Sequence, residues 1–343
     1  MKKIIITSIL SSLICVASFG QSLYRTTLSH EGVLTHYNLD QWMNAFNDAV
    51  DGDIIYFTRG TFTITADNNN LIINKAVTLI GAGVPENSAF YKGIDVESDY
   101  TGCALSEGTT IRGTITINIA NTNGTPNFHM EGINLQAGDF LIASTIDDLV
   151  LKRCQVRKDG EANAGGGNFS AAATINSVSL ENCFVRYFNG ANISNSMIKN
   201  SWIGEIQNLP TGGNIFNCVI TGITNSTNSS YINCIIQNWA EYNTYQNCLL
   251  SIGDATNCAL DNTCVLYHYG VPQNYTQAQL QDAENGGWTQ DDWTWKDGVV
   301  PGLFTGSAPF TFIPSQPYVS ASTVAYDAST KKLNVNITVN KGK

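Results

Sequence analysis

The stretch that decides the fold is residues 176–264. Five units in it share one pattern: Asn182-Cys183-Phe184-Val185, Asn200-Ser201-Trp202-Ile203, Asn217-Cys218-Val219-Ile220, Asn233-Cys234-Ile235-Ile236 and Asn247-Cys248-Leu249-Leu250. Each reads asparagine, a small residue, then two large and mostly aliphatic ones. The asparagines are 18, 17, 16 and 14 residues apart, and Asn262 would add a step of 15. A second column, Asn176, Asn195, Asn214, Asn228, Asn243 and Asn257, runs a few residues ahead at steps of 19, 19, 14, 15 and 14. A short segment bracketed by two asparagines therefore recurs at each turn of chain.

These periods are shorter than those of most helical repeats. The bracketed segments are rich in Val, Ile, Tyr and Phe, which favour strands, with bends between them. One turn of backbone per 15–20 residues or so predicts a parallel β-solenoid, each turn stacking on the next at about 4.8 Å. Asparagine suits the bends because it tolerates the left-handed backbone region, and stacked amides can bond to one another along the axis. A low-complexity Asn/Ser tract would not keep its apolar residues in phase with the asparagines.

Cys183, Cys218, Cys234 and Cys248 occupy one column, with Ser201 in the missing place. Cys154 and Ile133 extend it toward the N-terminus. Stacked Cβ atoms about 4.8 Å apart are too distant for a disulfide, which needs roughly 3.5–4.5 Å. The column is therefore expected to be reduced thiols acting as small interior filler. With no histidine beside it, it does not read as a metal site.

Residues 1–20 read as a secretory signal: Lys2 and Lys3, the apolar run Ile4 to Val16, and Ser18-Phe19-Gly20 before the expected cleavage at Gln21. The apolar run is too short to span a bilayer. No later stretch reads as a transmembrane segment, so the expected location is secreted or cell-surface. Loss of the two leader lysines takes the net charge from −10 to −12, which argues against nucleic acid as a partner. Only 13% of residues are charged. A neutral surface of amides and hydroxyls is common in exported proteins that face polysaccharide.

Along the chain, residues 21–37 read as an extended lead-in. Residues 38–50 read as a helix capped by Asn38, with Gln41 completing a capping box. Leu39, Trp42, Met43, Phe46 and Val50 fall on one face of that helix, which would cover the open first turn of the solenoid. Strands are expected at Ile54-Ile55-Tyr56-Phe57, Arg59-Gly60-Thr61-Phe62, Leu71 to Lys75 and Val77 to Gly83. The sequence Gly52-Asp53-Ile54-Ile55-Tyr56-Phe57, then Gly60-Thr61-Phe62 and Ile73 to Gly83, resembles the opening coils of right-handed parallel β-helix proteins of the pectate-lyase-like superfamily. The Asn-Cys units resemble the inner coils of the same proteins. The resemblance covers roughly residues 38–266 and implies an all-β, right-handed parallel β-helix over 51–270, with the segment 38–50 as its N-terminal cap. It leaves activity open, because the superfamily contains lyases, hydrolases, adhesins and inert stalks.

Residues 84–108 read as a loop and 158–170 as a Gly/Asn insertion, the kind of feature that often carries function in solenoids. Residues 271–343 read as a C-terminal cap: a short helix from Thr276 to Ala283, a cluster of Trp288, Trp293 and Trp295, and a final hairpin turning at Ala328-Ser329-Thr330. This tail resembles the closing segment of exported bacterial β-helix proteins without an established activity.

With the cysteine column inward, the next column points outward: Gln155, Phe184, Trp202, Val219, Ile235, Leu249. Two residues beyond the cysteines' outward neighbours lies another: Arg157, Arg186, Gly204, Thr221, Gln237, Ser251. The first is too apolar to be bare. Either the tail or a loop covers it, or its upper end binds glycan, with Phe184 and Trp202 as stacking faces and Arg157 and Arg186 pairing with uronate or sulfate.

Lyases of the superfamily need an acidic calcium cluster and a basic proton acceptor. Asp147, Asp148, Asp159 and Glu161 near Lys152, Arg153 and Arg157 are the candidate grouping, but adjacent aspartates on a strand point to opposite faces and read as solvated turn charges. The family's Trp-Ile-Asp-His signature and the aspartate motifs of polygalacturonases are absent. The expected function is thus a non-catalytic glycan-binding or surface scaffold module, with no cofactor. The alternative is a polysaccharide lyase or glycoside hydrolase acting on acidic polysaccharide, calcium being implied only for the lyase.

Overall fold

The computed structural model describes residues 25–84, 108–121, 124–157, 167–209, 212–251, 259–260, 265–267, 302–303, 310–311, 318–327 and 331–340. Across these the chain is all-β, with parallel strands in curled sheets, an arrangement compatible with a β-solenoid. The strands fall mainly in two large sheets, and the chain alternates between them.

The first sheet runs from Ile54–Phe57 through Thr78–Ile80, Phe128–Glu131, Ile146–Lys152, Ile175–Glu181, Ser196–Lys199, Gly213–Phe216, Ser230–Ile232 and Thr244–Gln246 to Ala259–Leu260. The second carries the strands that follow each corner, among them Ile133–Gln136, Gln155–Arg157, Phe184–Asn189, Trp202–Gln207, Val219–Thr224, Ile235–Asn238 and Leu249–Ser251. Before Phe184 this sheet has two rows of short strands. From Phe184 onward one strand spans both rows, pairing with Gln155–Arg157 through its first half and with Asn168–Ala171 through its second.

The corner between the sheets is where the asparagine pattern acts. Asn182, Asn200, Asn217, Asn233 and Asn247 all have φ between 45° and 56°, the left-handed region that asparagine tolerates better than most residues. Earlier layers put Gly132 (φ 67°) and Arg153 (φ 50°) at the same place. The backbone N–H of Asn200 donates to Phe216 O, that of Asn217 to Ile232 O and that of Asn233 to Gln246 O, each at 3.0 Å. Asn247 Nδ2 donates to Asn233 Oδ1 at 2.8 Å. Phe184 pairs with Trp202, Trp202 with Val219, Val219 with Ile235 and Ile235 with Leu249. The five asparagines therefore lie one above another.

The interior is apolar and layered. Cys154, Cys183, Cys218, Cys234 and Cys248 are free and fully buried. Each also has a polar role absent from the filler reading. Its Sγ lies 3.1–3.4 Å from the carbonyl oxygen two residues back, which leads into the corner. Ser201 Oγ makes the same bond more tightly, donating to Lys199 O at 2.7 Å and accepting from Cys183 N at 3.0 Å. Burial pushes the Cys183 thiol up to about 12 and raises Cys154 and Cys234 well above the ordinary thiol value. Because all five are fully buried, iodoacetamide at pH 8 is expected to leave them unlabelled in the folded protein and to label them after denaturation. Mass-spectrometric peptide mapping reads the difference at each cysteine, and rapid labelling of these five in the native chain would contradict it. Beside the thiols runs an aromatic file, Phe128, Phe140, Phe169 and Phe188, with successive centroids 6.0, 5.7 and 4.9 Å apart.

Five expectations need correction. The lead-in is an antiparallel hairpin, Arg25–His30 with Val33–Asn38, turning on Glu31 and Gly32, both at positive φ. Its first strand pairs with Ile54–Phe57 and so extends the first sheet. A two-residue turn with both φ positive matches the twist of a hairpin, and Glu31-Gly32 is its signal. The helix over 38–50 shrinks to a 3-10 turn, Leu39–Gln41, and five residues of α-helix, Asn44–Asp48. Asn38 makes no capping bond, and Leu39 and Val50 are exposed. Packing overrides propensity here: Trp42 meets Phe57 and Phe62 edge-on at 6.1 and 5.7 Å, and that cluster fixes the chain path.

The second asparagine column does not stay in register. Met197 pairs with Asn214, and Asn214 with Ser230, because the turns between layers differ in length. Finally, the insertion over 158–170 is shorter, since Asn168–Ala171 is a strand of the second sheet. The terminal hairpin is longer than expected, pairing Tyr318–Asp327 with Lys332–Asn340. The expected helix at 276–283 and Trp288, Trp293 and Trp295 lie outside the described residues, as does nearly all of the 84–108 loop.

The N-terminal hairpin is tied down by His30, whose Nδ1 lies 2.8 Å from Asp53 Oδ1. The hydrogen bond and charge of Asp53 raise the His30 pKa above its ordinary 6.5. Folding then gains from this contact below pH 6.5 and loses the gain as pH rises through the folded-state value. An NMR titration of His30 is expected to show a midpoint above 6.5 that falls in Asp53→Asn; an unchanged midpoint would remove the link.

Candidate binding face

The outward row beside the corner is covered. Phe184, Val219, Ile235 and Leu249 are at most 3% exposed, yet none belongs to the interior cluster except by adjacency. The C-terminal segment lies over the same layers. Gly302 N donates to Asn233 O at 2.8 Å and Thr311 N to Asn182 Oδ1 at 3.2 Å. Phe310 N donates to Leu303 O at 2.9 Å, and both side chains are buried. Of the two readings of this row, covering by the tail is what the structure presents along the Asn182-to-Asn233 layers.

At the Asn182 end Phe184, Trp202 and Arg157 come together. Phe184 and Trp202, one layer apart, stack with centroids 4.3 Å apart and planes within 2°. Arg157, from the layer before, lays its guanidinium over the Phe184 ring at 5.5 Å. Arg186 lies over Tyr187 at 5.0 Å, an aromatic the sequence reading did not include. Both contacts are within cation–π range. The next layer has Gly204 at the position of Arg186. A Cβ there would sit 2.4 Å from Arg186 O, so glycine lets the two strands approach. Phe184 is only 2% exposed, so its faces are committed to Arg157 and Trp202 and do not serve as a sugar platform. What the cluster presents outward is the two half-exposed arginines and the partly exposed Trp202.

Gln155, paired with Phe184, is fully buried, and neither of its amide atoms has a hydrogen-bond partner; Trp202 Nε1 is likewise buried and unpartnered. Its position in the outward row was legible, but its burial was not.

The acidic grouping does not converge. Asp147 accepts from Asn176 Nδ2 at 2.9 Å, Lys152 pairs with Glu181 at 3.5 Å, and Arg153 pairs with Glu131 at 3.2 Å. Asp159 and Glu161 lie outside the described residues. Among the described residues no three His, Cys, Asp or Glu side chains are grouped to hold a metal ion, and no helix is long and apolar enough to cross a membrane. Compared with protein-family models, curated proteins and solved structures, the chain matches none.

Proposed function

We propose that the chain is an exported, right-handed parallel β-helix that acts as a non-catalytic surface scaffold and binds acidic glycan through Arg157 and Arg186. Right-handedness follows from the strong preference of parallel crossover connections for that hand. The observation that carries the binding reading is the pair of guanidiniums in adjacent layers, each held over an aromatic ring. A stacked arginine loses little freedom on pairing and presents a fork suited to carboxylate or sulfate. Their strands are neighbours, about 4.8 Å apart, so one acidic chain lying across them can meet both. The unused hydrogen-bonding capacity of Gln155 and Trp202 Nε1 lies beside them.

A glycan array with uronic-acid, sulfated and neutral oligosaccharides tests this. Acidic glycans are expected to bind, with affinity lowered at least about tenfold in Arg157→Ala/Arg186→Ala, since charged hydrogen bonds contribute about 1.5–3 kcal/mol each. Binding that survives the double substitution removes the face. Release of unsaturated uronide, followed by ultraviolet absorbance and dependent on calcium, would replace the scaffold reading with a lyase.

A further inference from the structure

A second surface lies on the outward side of the first sheet. An open groove of about 520 Å³ is lined by Gly212, Asn214, Asn228, Ser230, Tyr242 and Thr244, together with Gly213, Ser229 and Asn243. That volume is in the range of small-ligand sites, about 300–1,000 Å³. None of the lining side chains carries a charge at neutral pH. Asn214, Ser230 and Thr244 pair in register on three successive strands, so an amide and two hydroxyls stand in a row one strand spacing apart. Asn214 and Thr244 are exposed.

Tyr242 completes the groove and is 56% exposed. A large exposed aromatic is an unusual choice here, because its backbone sits at φ 60°, where a bulky residue is strained. The surrounding bonds hold it there. Asn228 N donates to Tyr242 O at 2.7 Å. Asn243, only 3% exposed, donates from Nδ2 to Ser226 O, Ala240 O and Glu241 O at 2.8, 3.2 and 3.0 Å and accepts from Ser229 N at 3.0 Å. The ring is thus presented by a loop already fixed, so little order is lost when something binds.

We infer that this groove is a binding subsite for a neutral, extended oligosaccharide. The Tyr242 ring offers a face for the C–H side of one sugar ring, and the Asn214, Ser230 and Thr244 row bonds to hydroxyls of the sugars beside it. The lack of charge separates it from the arginine face, and it stands whether or not that face binds acidic glycan.

Saturation-transfer NMR and calorimetry on the full chain test it, with neutral hexaoses of β-1,4-glucan, β-1,3-glucan and β-1,4-xylan as probes. At least one is expected to bind. Tyr242→Ala should weaken it at least tenfold, Tyr242→Phe should retain it, and Thr244→Val should weaken it severalfold. Circular dichroism and melting checks that the variants stay folded. Arg157→Ala/Arg186→Ala should leave neutral binding unchanged, which separates this site from the acidic-glycan face. No binding of any neutral hexaose, binding indifferent to Tyr242→Ala, or binding lost with the arginines would each overturn the assignment.

Discussion

Phe310→Ala is expected to release the C-terminal segment from the outward row and to lower stability by about 3–5 kcal/mol, the usual cost of deleting a buried phenylalanine. Phe310 is 2% exposed and Leu303 fully buried. Their neighbours Gly302 and Thr311 bond to the corner row, at Asn233 and Asn182. Along those layers lie Phe184, Val219 and Ile235, each of which contributes roughly 1.5–3 kcal/mol when kept from water. Loss of the anchor should therefore appear in two ways: faster proteolysis within residues 302–311, and increased binding of an apolar dye to the bared row. Leu303→Ala should act in the same direction with a cost of about 2–5 kcal/mol. If both variants melt and digest as the parent does, the tail is not what keeps this row dry.

That row also shows how far the sequence could be read. Its position was legible because strand alternation is strict: once the cysteines point inward, Phe184, Val219, Ile235 and Leu249 must point out. That something covers it was legible, with the tail or a loop as the candidates; which residues do so was not, because the covering contact joins residues 129 apart, Thr311 and Asn182, and no local pattern encodes such a pairing. The corner row was legible for a related reason. A left-handed backbone position restricts the residue type, so Asn182, Asn200, Asn217, Asn233 and Asn247 advertise it. The second asparagine column carried no such restriction at every member, and counting alone put Asn214 and Asn228 in a line that pairing does not keep.

The N-terminal cap failed as a helix because the period of its apolar residues was satisfied by packing instead. Trp42 and Phe46 turn into the aromatic cluster around Phe57 while Leu39 and Val50 stay wet. At the candidate face, the sequence put Arg157, Arg186, Phe184 and Trp202 in two outward columns but could not say that Phe184 would spend both faces on Arg157 and Trp202.

The second large effect is expected at Arg153, the one charged residue in the corner row among the described layers that carry it. Its φ is 50°, so Arg153→Asn replaces it with the residue this backbone prefers elsewhere in the row. On backbone grounds alone the variant should be more stable. The side chain argues the other way: Arg153 is 8% and Glu131 5% exposed, and Arg153 Nη1 lies 3.2 Å from Glu131 Oε1. Removing one member of a buried ion pair leaves the other charged and poorly solvated, a loss of about 3–5 kcal/mol, whereas the relief of a left-handed arginine is about 1–2 kcal/mol at most. The pair term wins, and Arg153→Asn should be destabilised. Glu131→Gln in the same chain removes the carboxylate, which also has His129 Nε2 at 3.9 Å, and should restore most of the loss, because replacing both partners of a buried pair is often near neutral. Denaturant unfolding of the two single variants and the double one gives the coupling between them. A single Arg153→Asn variant as stable as the parent, or a double variant no better than the single, would mean that the corner's geometry and not the ion pair set the residue at this position.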